Sequence, residues 1–367
     1  MKNKIKISII IGTRPNLIKI SPLVRKIKED PDIDLQFINT GQHYDYELDE
    51  IFIKELNLPK LVFLNVGSGT QGEQTGNALI KIEKELINFK PKIVIVIGDT
   101  NSTLAGALAS VKLHIPVAHI EAGLRSFDRK MPEEINRIVV DHISDILFIP
   151  TENAIKNLKN EGIPDEKIFF VQDISVDACL RNYEIAKNSE ILKKLEIDDD
   201  FVLVTLHRQE NVDSKENLCN ILDALIEISK NKEVIFPLHP RTLKNLKSFN
   251  VFEKYSKNIR FIKPLGYFDF LKLLASASCV VTDSGGIQKE ALILKTPCVT
   301  ARATTEWIET INTDANVLVG SDKEKLIEEV SKRSSKAFHE FMKKIEHPYG
   351  CGKASEQILM YLNNNKF

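Results

Sequence analysis

The segment CVVTDSGGIQKEA, residues 279–291, joins an apolar run to a helical pattern through a short turn of small and polar residues. The run 279–282 is typical of a buried strand, and the helical pattern begins directly after the glycines. Such a turn leaves the backbone N–H groups of Ser284, Gly285 and Gly286 uncovered at a helix N-terminus, where the helix dipole favours an anion. The segment therefore predicts a strand–turn–helix unit that holds a phosphate or diphosphate, with Gln288 or Glu290 reaching sugar hydroxyls.

Apolar runs that alternate with helical patterns extend through the rest of the chain. They lie at 5–11, 35–39, 92–98, 116–120, 145–150 and 167–171, and again at 201–206, 233–238, 259–262, 279–282, 297–301 and 316–320. Runs that are apolar on both faces are typical of parallel strands covered by helices. A charged, polar stretch at 187–200 separates the two series. We therefore predict an α/β fold of two doubly wound Rossmann-like domains facing across a cleft, with ligand at the carboxyl ends of the strands.

The composition is that of an ordinary globular chain of 367 residues, 43% hydrophobic and 28% charged. The net charge is −1 at pH 7, so no general attraction to nucleic acid or to an anionic membrane is expected. The apolar run at the N-terminus ends after Ile11, too early for a secretory signal, and no stretch approaches the ~18 apolar residues of a membrane span. We expect a cytoplasmic protein whose five scattered cysteines are reduced thiols rather than disulfides or zinc ligands.

Basic residues follow the first predicted strand. The strand runs into Gly-Thr-Arg-Pro, where Pro15 suits the first turn of a helix and Lys19 lies one turn further on. Arg14 and Lys19 could neutralise an anion beside that helix N-terminus, or they could lie on a solvated loop. Cations at a strand end of this architecture favour a ligand, because such folds bind ligands there.

Acidic residues follow two further strands of the first series. Asp99 comes directly after the run 92–98, and Glu121 directly after 116–120. Glu133 stands in the first turn of a helix opened by Pro132, four residues before Arg137, and the two could form an ordinary surface ion pair. The grouping of three carboxylates with Arg125 and Arg137 within one short stretch favours a catalytic role.

Histidines follow two strands of the second series. His207 comes directly after 201–206 and is expected to face the interdomain cleft. His239 and Arg241 repeat this arrangement, although Pro240 could simply end the strand there. The string GSGTQG at 67–72 has the letters of a dinucleotide-binding loop, but a weak strand precedes it and Lys90 stands where an acid is required. We predict a flexible loop and no NAD.

The order and spacing of eight motifs identify a family resemblance. GTRPNLIKISPL, TGQH, GDTNSTLAGALA, HIEAGLRS, PEEINR, HRQEN, TDSGGIQKEA and TTE occur as they do in the non-hydrolysing UDP-N-acetylglucosamine 2-epimerases. The resemblance covers essentially the whole chain and implies a glycosyltransferase-B type of fold and a homodimer. It implies an N-terminal domain of residues 1–172 plus 351–367 that carries acid/base residues, and a nucleotide-binding domain of residues 173–350.

The resemblance also implies the site residues and the chemistry. The catalytic residues would be Asp99, Glu121, Glu133 and His207. The substrate-binding residues would be Arg14, Lys19, Gln42, His43, Arg137, Phe270, Ser284, Gly285, Gly286 and Glu290. The substrate would be a UDP-sugar, epimerised at C2 by elimination and re-addition of UDP without a metal or redox cofactor.

Two departures from the family pattern concern the substrate. Many relatives read TTERPE where this chain has TTEWIE, so that Trp307 replaces a nucleotide-contacting arginine. Many relatives carry H-x-N-P where this chain has HPRT at 239–242. The positive charge of Arg241 could replace the one that is lost at position 307. Two alternatives to this function remain open. The first is a 2-epimerase for a UDP-2,3-diacetamido uronic acid, and the second is a glycosyltransferase of the same fold.

Overall fold

Short apolar strands, most of them followed by a helix, build two parallel sheets. The computed structural model describes residues 4–41, 53, 56, 58–197, 200–346 and 348–365. The chain divides into two units, Met1–Ala178 with Tyr349–Phe367, and Cys179–Pro348. The first division falls within one helix, Ile174–Ala186, six residues beyond the predicted boundary at 172/173.

The first unit contains a seven-stranded sheet in the order β3-β2-β1-β4-β5-β6-β7. Its strands are β1 Ile5–Ile11, β2 Ile33–Asn39, β3 Val62–Phe63, β4 Ile93–Ile97, β5 Val117–Ile120, β6 Ile146–Ile149 and β7 Ile168–Phe170. The pairs are parallel, with Ile7 of β1 opposite Leu35 of β2 and Ile93 of β4. The strand order reverses between β1 and β4, which is the position where doubly wound sheets open a crevice for ligands.

Helices cover this sheet. They are α1 Arg14–Glu29, α2 Gln71–Phe89, α3 Asn101–Lys112, α4 Pro132–Ile143, α5 Glu152–Asn160, α6 Ile174–Ala186 and, from the C-terminus, α17 Ala354–Asn364. Thr70 and Glu73 form a capping box at the start of α2, and prolines open α1 and α4. The five residues of β4 are fully buried because helices pack on both faces.

The second unit repeats the architecture with six strands in the order β10-β9-β8-β11-β12-β13. The strands are β8 Phe201–Thr205, β9 Glu233–Pro237, β10 Arg260–Ile262, β11 Cys279–Thr282, β12 Cys298–Thr300 and β13 Asn316–Leu318. The helices are α7 Ile191–Lys194, α8 Gln209–Val212, α9 Lys215–Ser229, α10 Pro240–Ser248, α11 Phe252–Tyr255, α12 Tyr267–Ser276, α13 Gly285–Ile293, α14 Ile308–Asn312, α15 Lys323–Arg333 and α16 Lys336–Lys344. Here the order reverses between β8 and β11.

These two parallel sheets confirm the predicted α/β fold class. Each apolar run predicted as a strand forms one, within two residues at either end. The two-residue strand β3 lies in the run before residue 67 that the sequence indicates only as a weak strand, because so short a strand has no detectable periodicity. The predicted loop at 67–72 ends two residues too late, because Gln71 and Gly72 already belong to α2.

Candidate functional site

Glu121 lies in the turn after β5 and pairs with Lys19 of α1. Lys19 Nζ is 2.7 Å from one carboxylate oxygen of Glu121 and 2.8 Å from the other. Burial alone would lower the pKa of Lys19, but the Glu121 carboxylate, with smaller contributions from Asp173 and Asp99, outweighs it and raises that pKa. Glu121 is 7% exposed and has a φ of +68°, a left-handed conformation that a non-glycine residue adopts only where its surroundings hold it.

Asp99 lies directly beyond the left-handed Gly98 that ends β4. Its Oδ2 accepts hydrogen bonds from Nε and Nη2 of Arg137, at 3.0 and 2.7 Å. A Cβ on Gly98 would lie 3.5 Å from Oε2 of Glu121, so the Glu121 carboxylate lies beside the residue that precedes Asp99. The first unit therefore brings together Lys19, Asp99, Glu121 and Arg137 at the carboxyl ends of β4 and β5.

Arg137 also pairs with a second carboxylate, that of Glu134. Arg137 Nη1 donates to Glu134 at 2.7 Å, and Glu134 also accepts the backbone N–H groups of Ser126 and Phe127. Although its burial opposes this, these hydrogen bonds lower the pKa of Glu134. Arg137 therefore pairs with Asp99 and Glu134 rather than with Glu133, which is exposed in the first turn of α4.

The remaining predicted residues of the first unit are placed as follows. Arg14 is the first residue of α1, beside the end of β1. Gln42 and His43 lie outside the described residues. Arg125, grouped with the candidate acids from its sequence position, instead forms buried ion pairs with Asp141 and Glu161, each at 2.7 Å. Its expected part in the acidic cluster is therefore wrong.

In the second unit, Asp283 connects the end of β11 to the end of β8. Its carboxylate is fully buried and accepts the backbone N–H groups of His207 and Arg208 at 3.0–3.1 Å, together with Asn211 Nδ2 at 3.1 Å. Burial, with smaller contributions from Arg208 and His239, lowers the pKa of His207 although Asp283 opposes the shift. The His207 imidazole is therefore neutral at pH 7.

A cavity of ≈ 210 Å³ lies beside His207. Its walls include His239 after β9, Leu265 and Phe270 near the start of α12, and Ile287 of α13. The His207 and His239 rings are 5.8 Å apart. The cavity is bounded by a phenyl ring and aliphatic side chains and borders the N-terminal turn of α13, so it has the chemistry to receive a flat heterocycle.

The turn Ser284–Gly286 opens α13 as predicted, with Ser284 in an extended conformation at the N-cap. The Glu306 carboxylate lies so close to Gly285 that a Cβ there would overlap it, and Trp307 Nε1 would be 3.1 Å from that Cβ. Glu306 also pairs with Arg302 at 2.8 Å and with Arg208 at 3.8 Å. An acidic side chain of the protein therefore lies at the helix N-terminus where the sequence predicts an external anion.

Two further residues of α13 differ in accessibility. Glu290 accepts a hydrogen bond from Tyr267 at 2.8 Å. Burial, together with the charge of Glu290, raises the pKa of Tyr267 well above its usual value. Gln288 is fully buried, and its Oε1 accepts from Thr305 and Asn316. The expectation that Gln288 could reach a sugar hydroxyl is therefore wrong.

Arg241 lies in α10 and pairs with Asp213. The sequence suggested that it could restore a positive charge near the nucleotide.

Asp283→Ala is expected to destabilise the second unit by about 3 kcal/mol, because buried donors then lack an acceptor. The matched control is Asp200→Ala, which removes an exposed carboxylate paired with Lys232 and is expected to change stability by less than about 1 kcal/mol. Urea unfolding monitored by circular dichroism measures both variants. Equal stabilities for the two would contradict the structural role of Asp283.

Neither a metal cluster nor a membrane span occurs in the described part of the chain. That part holds no group of three or more His, Cys, Asp or Glu side chains arranged to bind a metal ion. Among the same residues, no helix combines the length and apolar character needed to cross a membrane.

Comparison with known proteins gives consistent results. The sequence model of the family described as UDP-N-acetylglucosamine 2-epimerase matches residues 25–363. UDP-N-acetylglucosamine 2-epimerase of Methanocaldococcus jannaschii is 52% identical, over 99% of this chain and 100% of that protein. UDP-2,3-diacetamido-2,3-dideoxy-D-glucuronate 2-epimerase of Pseudomonas aeruginosa is 44% identical, over 97% of this chain and 99% of that protein.

A solved structure extends the similarity to three dimensions. The crystal structure of M. jannaschii UDP-GlcNAc 2-epimerase in complex with UDP-GlcNAc and UDP matches with a TM-score of 0.85. The sequences are 51% identical, and the match covers 98% of this chain and 100% of that one. With its two parallel sheets, the chain has the glycosyltransferase-B type of fold.

Proposed function

The chain belongs to the UDP-N-acetylglucosamine 2-epimerase family, and on that premise we propose that it interconverts UDP-N-acetylglucosamine and UDP-N-acetylmannosamine. The observation that carries the proposal is the convergence of Asp99 and Glu121, with Lys19 and Arg137, at neighbouring strand ends of the first unit. The proposal assigns the sugar ring of the substrate to these groups and the UDP moiety to the second unit.

The proposed chemistry is elimination followed by addition, because C2 of the sugar has no adjacent carbonyl to acidify its hydrogen. A carboxylate takes the C2 proton while the electrons of the C1–O bond leave with UDP, which gives 2-acetamidoglucal. A phosphate oxygen of UDP then adds back to C1, and C2 receives a proton on the opposite face. The route requires general acid and base groups on two faces of one ring.

The first unit carries carboxylates suited to that requirement. Asp99 and Glu121 lie at neighbouring strand ends, each beside a cation that fixes its orientation. Glu133, exposed on α4, is proposed as a third acid/base group from the family resemblance. Arg14 at the start of α1 is proposed to bind charge on the substrate, as are Gln42 and His43 outside the described residues.

The second unit carries groups suited to UDP. We assign the uracil to the cavity beside Phe270, the ribose to Glu290, and the diphosphate to the amides of Ser284–Gly286. Because the His207 pKa is lowered, His207 would act on the leaving diphosphate as a neutral hydrogen-bond donor rather than as a cation. None of these steps requires a metal ion or a redox cofactor. A homodimer and a cytoplasmic location are part of the proposal.

A second candidate substrate is a UDP-2,3-diacetamido uronic acid. The observation that favours it is Trp307, which borders Gly285 and has Lys289 Nζ 3.9 Å from its ring centroid. A tryptophan at this position presents a flat apolar surface where many relatives carry an arginine. Such a surface would pack against an acetamido methyl group better than a guanidinium does.

Separate incubation of the purified protein with the two UDP-sugars tests the proposal. We expect the UDP-linked 2-epimer of N-acetylglucosamine without added acceptor. Exclusive turnover of the diacetamido uronic acid would establish the second candidate. Release of free N-acetylmannosamine would indicate a hydrolysing enzyme, and sugar transfer that requires an acceptor would indicate a glycosyltransferase. The last two outcomes contradict the proposal.

Glu306→Gln is expected to tighten UDP binding by about 5-fold, equivalent to about 1 kcal/mol. The substitution removes a negative charge from the proposed diphosphate position and releases Arg208 and Arg302 from their ion pairs. Isothermal titration with UDP measures the change, and Glu309→Gln in the adjacent helix is the control. Unchanged or weaker binding by Glu306→Gln would contradict a diphosphate site at this helix N-terminus.

A further inference from the structure

His119 is a buried titratable residue that the proposed chemistry does not use. It lies in β5, and its side chain is 1% exposed. Its Nε2 lies 2.8 Å from the carbonyl oxygen of Gly98, and its Nδ1 lies 2.7 Å from Asp141 Oδ1. A carbonyl oxygen and a carboxylate oxygen are both hydrogen-bond acceptors, so the imidazole ring bridges two acceptors in the core.

Asp141 is ionised in this arrangement. Although its burial opposes this, the hydrogen bond and charge of His119, together with Arg125, lower the pKa of Asp141. Arg125 in turn pairs with Glu161. His119, Asp141, Arg125 and Glu161 therefore form one chain of contacts, in which the buried Asp141 carboxylate is paired.

The pair connects the two turns that carry the proposed acids. On one side, His119 holds the carbonyl of Gly98, the residue before Asp99. On the other side, the second oxygen of Asp141 accepts the N–H of Gly123, two residues after Glu121, at 3.0 Å. Gly98, Glu121 and Gly123 all have left-handed φ values, of +74°, +68° and +80°.

Backbone in this conformation persists where surrounding contacts fix it. A Cβ on Gly123 would lie 2.6 Å from the carbonyl oxygen of Ala154, so the turn has no room to adjust on that side. His119 contacts the carbonyl oxygen of Gly98, and Asp141 accepts the N–H of Gly123. Both side chains therefore hold backbone atoms of the two turns directly.

We propose that His119 and Asp141 are positioning residues for the epimerisation. They hold the carboxylates of Asp99 and Glu121 at a fixed distance from each other where the sugar binds. The inference rests on the proposed function. Neither residue touches the substrate. Both act through the backbone of the turns, and the effect of their loss falls on the chemical step rather than on nucleotide binding.

Two amide substitutions separate the two hydrogen bonds of His119. The amide nitrogen of His119→Gln reaches the position of Nε2 and keeps the donor to Gly98, whereas that of His119→Asn reaches the position of Nδ1 and keeps the donor to Asp141. We expect kcat to fall about 100-fold in His119→Asn, which releases Gly98 and the adjacent Asp99, and about 10-fold in His119→Gln. In both variants KM and the Kd for UDP should stay within about 2-fold of wild type.

The measurements are steady-state kinetics with UDP-N-acetylglucosamine, UDP titration and thermal melting for wild type and both variants. Wild-type turnover tests the proposed function separately, since its absence would refute that function whatever the variants show. With an active wild type, unchanged kcat in either variant would overturn the inference. Equal losses of kcat, UDP affinity and thermal stability in a variant would overturn it too, because they indicate a purely structural role. If His119→Asn does not fold, kcat of His119→Gln decides, with a fall confirming the inference and a wild-type value overturning it.

Discussion

Glu121→Gln and Asp99→Asn are each expected to lower kcat by about 100-fold or more, the range that general acid–base groups supply. Each substitution keeps the shape of the side chain and removes its ability to take a proton. UDP affinity should remain near wild type, because Asp99 and Glu121 are assigned to the sugar ring rather than to UDP. Steady-state kinetics and UDP titration measure the two quantities. Glu133→Gln is expected to behave in the same way.

The matched control for these variants is Asp165→Asn. Asp165 is an exposed carboxylate of the first unit, paired with Lys159 on the surface. Its loss should leave kcat within about 2-fold of wild type. If Asp99→Asn, Glu121→Gln and Glu133→Gln all retain the turnover of this control, the assignment of acid/base chemistry to these carboxylates is wrong.

Gly285→Ala is expected to weaken UDP binding by about 10-fold or more, because a methyl group there overlaps neighbouring atoms and distorts the amide turn that is proposed to hold the diphosphate. The same overlap should destabilise the ligand-free protein by about 1–3 kcal/mol. Isothermal titration with UDP and thermal melting measure the two effects.

Gly286→Ala provides a close comparison in the next residue. A Cβ on Gly286 would meet nothing closer than Ser284 Oγ at 4.0 Å, so the ligand-free stability of this variant should equal that of wild type. If Gly285→Ala melts at the wild-type temperature and binds UDP with wild-type affinity, Glu306 does not lie against Gly285 and the proposed diphosphate position is wrong.

Much of the fold could be predicted because its strands are short, apolar on both faces and bounded by turn residues. Ile93–Ile97 and Phe201–Thr205 are examples in which hydrophobicity alone indicates a central parallel strand. Val62–Phe63 was indicated only as a weak strand, since two residues have no period. The helix beginning at Gln71 was obscured by the glycines before it, although the Thr70–Glu73 capping box was present in the sequence.

The candidate site could be predicted where a side chain directly follows a strand, as Asp99 and Glu121 do. The ion-pair partners of these side chains could not be predicted, because they depend on which helix faces meet. Arg137 selects Asp99 and Glu134 rather than Glu133, and Arg125 selects Asp141 and Glu161. Glu133 in a catalytic role remains a prediction.

His119 was not among the residues predicted from the strand ends, although one signal for it was present. A histidine inside the otherwise apolar run at 116–120 requires polar partners within the core. The identity of those partners, Asp141 and the Gly98 carbonyl, depends on the packing of α4 and β4 against β5 and is invisible to spacing rules.

The deuterium content at C2 of the product formed from UDP-N-acetylglucosamine in D₂O tests the central claim most directly. If Asp99, Glu121 and Glu133 exchange protons with solvent during elimination and re-addition, NMR should show UDP-N-acetylmannosamine with deuterium at C2. A 2-epimer that retains the original C2 hydrogen, or no 2-epimer at all, would contradict the account.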